Sequence, residues 1–135
     1  MGKNLDYCIE THIHGDISLT MDVDCFYIDE SFCQTSIINK AELLCQKYGI
    51  TLKWIPKRQM ALGDIGEIFR GPKIPLLAKK INNDIGKNQG IINAALIGEA
   101  SRNSLENHKS WQSLGDESDV FQYFKQLWHT VAYFG

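Results

Sequence analysis

Apolar and polar positions alternate with period two over residues 7–14, and that alternation predicts a strand. Tyr7, Ile9, Thr11 and Ile13 fall on one face; Cys8, Glu10, His12 and His14 fall on the other. Gly15-Asp16 marks the exit. Residues 23–28, rich in β-branched and aromatic side chains, predict a second strand. From Ser36 the period becomes helical, with Ile37, Ile38, Ala41, Leu44, Cys45 and Tyr48 recurring and Gly49 as the stop. A short strand over residues 51–55 then ends at Pro56. Strand, helix and strand in close succession suit a βαβ unit.

The second half reads as helical. Asp64, with Glu67 three residues on and Ile68-Phe69 behind it, has the spacing of a capping box. Pro72 and Pro75 suit a loop and the first turn of a helix carrying Leu77, Ala78 and Ile81. Residues 91–102 predict another helix, with Ile92, Ala95 and Leu96 apolar. The polar stretch 103–116 predicts a loop, and a last helix starts near Ser118 or Asp119 with Val120, Phe124, Leu127, Trp128 and Val131 as its stripe. Trp54 and Trp128 read as core, whereas Trp111, set among polar neighbours, reads as an exposed contact point.

Strands early and helices late favour an α+β domain: a small sheet of about three strands, with one βαβ-like unit, covered by helices from the C-terminal half. Such a sheet has two edges to protect. This predicts either an incomplete domain or a protein partner seated on an uncovered edge.

Size and composition agree with one domain. The chain has 135 residues, 44% hydrophobic and 22% charged, which is enough for one core and too apolar for disorder. No apolar run reaches membrane-span length, and the first residues lack a signal-peptide core, so the expectation is a cytoplasmic protein, or one exported without a cleaved signal. Cys8, Cys25, Cys33 and Cys45 form no CxxC pair and read as free thiols. The net charge of −2 gives no indication of nucleic-acid binding. It is unevenly spread: residues 1–45 carry two lysines against eight acids, and residues 46–80 carry eight basic side chains against two acids. The basic segment either receives phosphate or faces the acidic first third.

Candidate chemistry gathers on the first strand. Glu10, His12 and His14 share a face at about 6–7 Å spacing, and three ionisable groups in a row are costly to bury unpaired. That face is wet, paired, or a site. As a metal site, His12 and His14 would aim two imidazoles at one ion beside a carboxylate, giving a small metal-dependent hydrolase. Amidohydrolase-like enzymes begin with such a strand, but their barrels need about 250 residues. As a carboxylate site, Glu10 would stabilise positive charge developing on a sugar carbon, with His12 and His14 orienting it or contacting phosphate. Arg58, Arg70 and Lys73 are candidates for a pyrophosphate, with R-G-P at a helix entrance.

Four stretches carry a family resemblance: Y-C-I-E-T-H-I-H-G-D-I-S-L, D-V-D-C-F-Y-I-D-E-S-F, F-R-G-P-K-I-P-L-L-A and F-K-Q-L-W-H-T-V-A-Y-F-G. Together they resemble the later part of a bacterial family known as domain of unknown function 3626. The resemblance runs over nearly the whole chain from Tyr7, and implies that residues 1–135 are the C-terminal part of a longer family domain. The strand around Glu10 also resembles, more distantly, the catalytic-glutamate strand of DNA-targeting ADP-ribosyltransferase toxins. That similarity implies NAD as cofactor, Glu10 holding its nicotinamide ribose, and a toxin or effector role. The cationic clamp of such enzymes comes from an earlier segment with no counterpart before Tyr7. Three readings therefore stand: an ADP-ribosyltransferase-like enzyme, a non-catalytic protein-binding module, and a metal-dependent hydrolase.

Overall fold

A computed structural model of the chain describes residues 13–135. The order is β1 (Cys25–Asp29), α1 (Ser36–Tyr48), β2 (Thr51–Ile55), β3 (Gln59–Ala61), α2 (Lys73–Asp84), β4 (Ile91–Asn93), α3 (Ala94–Glu106) and α4 (Glu117–Phe134). Short 3-10 turns stand at Glu30–Phe32, Leu62–Asp64 and His108–Trp111. The class is α+β, as expected. Most of the expected first strand lies outside the described residues; its last two, Ile13 and His14, are in irregular, exposed backbone.

β1 and β2 pair in parallel, Tyr27 opposite Lys53 and Asp29 opposite Ile55, with α1 as the connection. α1 keeps the predicted bounds: Gly49 closes it in the left-handed region at φ 69, and its amide donates to Cys45 O. Yet α1 buries only Cys45 fully, and Leu43 stays 66% exposed. This βαβ unit is a thin flap with little core of its own.

The deep core lies in the second half. α2 presents Ile74, Leu77, Ala78 and Ile81, at helical spacing and wholly buried, toward α4 with its Val120, Phe124, Leu127 and Val131. Pro72 caps α2 and Pro75 occupies its first turn, where a missing N–H costs nothing. α3 packs on α4. The Asn93 side chain accepts from Leu96 N at 3.0 Å, and Asp116 does the same for Asp119 N at 2.9 Å at the head of α4.

Several expectations are corrected. Residues 91–93 form β4, antiparallel to β3, instead of the first helical turn, so α3 begins at Ala94. No helix grows from Asp64, which ends a 3-10 turn and whose carboxylate caps nothing. The stretch 103–116 is not an open loop: α3 continues to Glu106, and Trp111 is fully buried. Its Nε1 donates to Asn103 Oδ1 at 3.0 Å, its ring meets Phe124, and Lys80 Nζ stands 4.8 Å from its centroid. Trp54 is 42% exposed and lies outside the core, while Trp128 packs against the core from one side. Of the described thiols, Cys45 is buried, Cys25 half-buried and Cys33 exposed, all free; Cys8 lies outside the described residues.

Candidate functional site

Where the βαβ flap meets the helical core, the surfaces do not close. They leave a cleft of about 500 Å³ at the carboxyl ends of β1 and β2. Tyr27, Ile28 and Asp29 come from β1 and Ile55 from β2. Phe32 and Ile37 form one shoulder; Ile97, Gly98 and Ser101 of α3 form the floor. α4 supplies Phe121, Phe124, Lys125 and Trp128. The Phe32 ring lies 3.7 Å from where a Cβ on Gly98 would stand, so the shoulder rests in van der Waals contact on α3. The walls are mostly apolar and aromatic, with Lys125 at the rim.

Buried Asp29 sets this junction. Its Oδ1 accepts from Ser31 N and its Oδ2 from Arg58 N, each at 2.8 Å. Ser31 Oγ in turn accepts from Ala95 N in the first turn of α3, at 3.0 Å. One carboxylate thus ties the end of β1 to the chain leaving β2, and Ser31 fastens the flap to the core. Both oxygens of Asp29 accept backbone N–H groups, so the carboxylate holds the walls of the cleft together. Sequence reasoning passed over Asp29. The D-x-S spacing is a recognisable turn signal, but the bond to Arg58 is not local.

The expected site residues lie elsewhere. Glu10 and His12 lie outside the described residues; His14 is exposed, in irregular backbone. Arg58 is exposed and its Nη1 donates to Gly135 O at 3.1 Å. Arg70 is exposed in the turn before α2, and Lys73 opens that helix, half-buried. Phe69, beside Arg70, packs on Phe134 with 4.8 Å between ring centroids. Arg58 is thus bonded to the residue that follows α4, and none of the three cations lines the cleft. Among the described residues no three His, Cys, Asp or Glu side chains gather in a metal-binding group. No helix among them is long and apolar enough to cross a membrane.

The profile of the family described as Protein of unknown function (DUF3626) matches residues 1–134. The chain belongs to the DUF3626 family. No curated protein and no solved structure matches it. Family membership bears out the resemblance carried by the four sequence stretches.

Proposed function

We propose that this DUF3626 chain is a binding module that takes a small, largely apolar molecule into the cleft between the βαβ flap and α3–α4. One observation supports this above others: a concavity of about 500 Å³, aromatic on several sides, at the carboxyl ends of a parallel strand pair. That volume lies within the roughly 300–1,000 Å³ of ordinary ligand sites. The ends of parallel strands are also where open α/β sheets hold ligands. Tyr27 is 60% exposed and Phe121 50% exposed, so two large rings face water until something covers them.

Decanol is the test ligand. Titration calorimetry of the full chain should give saturable binding at one site. Phe121→Ser, at a half-exposed position outside the buried core, should weaken it about tenfold through lost apolar contact. Unsaturable partitioning, or equal affinity in the variant, sinks the reading.

A catalytic reading rests on the resemblance of the Glu10 strand. It would make Glu10 the carboxylate of an NAD-dependent transferase, supported by His12 and His14. The cations expected for the pyrophosphate, Arg58, Arg70 and Lys73, do not line the cleft. The cleft therefore supports the binding reading better.

A further inference from the structure

Beside the apolar cleft lies a second hollow of about 290 Å³. Phe32, Ile37 and Gly98 line both, so the two spaces meet across one shoulder. The second hollow is edged by Lys40, Arg102, Thr35 and Ser36, with Glu99 as its one acid. Lys40 and Arg102 make no ion pair or side-chain hydrogen bond among the described residues. Arg102 also borders a separate hollow containing Asp84 and Glu106, yet it pairs with neither. Within this hollow two cations stand against one acid, while Asp84 and Glu106 border the neighbouring hollow that shares Arg102. The Thr35 hydroxyl donates to Phe32 O at 2.8 Å and does not cap α1, whose first turn holds no acid; this adds to the same sign.

An apolar trough opening onto a cationic shelf is complementary to a molecule with an apolar body and one negative end. We propose that the ligand of this DUF3626 chain is an amphiphilic anion, its hydrocarbon against Phe32, Ile97, Phe121 and Trp128 and its carboxylate or phosphate at Lys40 and Arg102. The proposal rests on the binding reading above and adds the head group. Lys40 and Arg102 select the anion by charge, and the aromatic walls give most of the affinity. Because both cations border solvent, their contribution is screened by salt.

Decanoate and decanol separate the two claims. At low ionic strength the full chain should bind decanoate about tenfold more tightly than decanol, as two unpaired cations near the head group imply. The double variant Lys40→Gln, Arg102→Gln should bring decanoate to within about twofold of decanol and leave decanol itself unchanged. If decanol binds and decanoate binds no better, or if the preference survives the double variant, the head-group assignment falls and the cleft stands. Where neither ligand binds, both readings fall. Decyl phosphate distinguishes phosphate from carboxylate, and vesicles of anionic phospholipid distinguish a free amphiphile from a membrane. Vesicle binding unaffected by Phe121→Ser, with no decanoate binding, overturns the proposal in favour of a surface contact.

Discussion

Asp29 satisfies two backbone donors at a point where neither strand ladder nor helix can reach them. Removing it leaves Ser31 N and Arg58 N without an acceptor, and a part-buried donor left unpaired costs on the order of 1–3 kcal/mol. Asp29→Ala should therefore lower stability by about 3 kcal/mol in urea, with little change in slope. Asp29→Asn, which keeps one acceptor oxygen, should lose about half as much. Equal, negligible losses in both would show that the clamp carries no weight. This residue was legible only in part, because its Ser31 bond is local and its Arg58 bond spans 29 positions. Trp111 misleads for the same reason. Its sequence neighbours are polar, and its partners come from three helices: Asn103 on α3, Phe124 on α4 and Lys80 on α2. Trp54 errs the other way, since strand membership said nothing about how thinly the flap is covered.

At the scale of elements, the parts readable from sequence are those whose signals are local and long. α1 repeats its apolar residues over several turns and stops at a glycine; α4 runs for 18 residues behind an aspartate cap. Gly49 at φ 69 tests the stop: Gly49→Ala puts a Cβ into the left-handed region and should cost about 1 kcal/mol, read as a lowered urea midpoint. An unchanged midpoint would show that the helix end relaxes without loss. β3 and β4 escaped because three residues are too few to show alternation. Ile91 and Ile92 also fit the helical spacing of α3; their pairing with Met60 and Ala61 decides between the two, and it is non-local. The capping-box spacing at Asp64 and Glu67 goes unused because Gly66 lies inside it and Gly71-Pro72 interrupts soon after, leaving too few residues to repay a helix nucleus. The site suffered likewise: each of its walls is an ordinary apolar stripe, and only their convergence makes a cleft.

For the molecule as a whole, the division between a dense helical core and a thin flap bears directly on the catalytic alternative. A transferase acting on NAD must hold a large dinucleotide with an anionic pyrophosphate rigidly, because misplacement by about 1 Å can cost on the order of a hundredfold in rate. Arg58, Arg70 and Lys73 are the cations expected to hold its pyrophosphate. Arg58 is bonded to Gly135, and Arg70 follows the phenylalanine that packs on the end of α4, while the aromatic cleft opens beside the earlier half of that helix. A dinucleotide would have to span both places, and the shelf at Lys40 and Arg102 is not among the positions first expected. We therefore expect the full chain and Glu10→Gln to consume NAD at the same rate, indistinguishable from a blank without protein, when nicotinamide release is followed by chromatography. Release above the blank that disappears in Glu10→Gln would return the carboxylate to the centre of the mechanism. The control is Arg58→Gln with Arg70→Gln, which should leave decanol affinity within about twofold of the parent, since neither side chain lines the cleft. A larger loss there would mean that the end of α4 and the cleft act as one site.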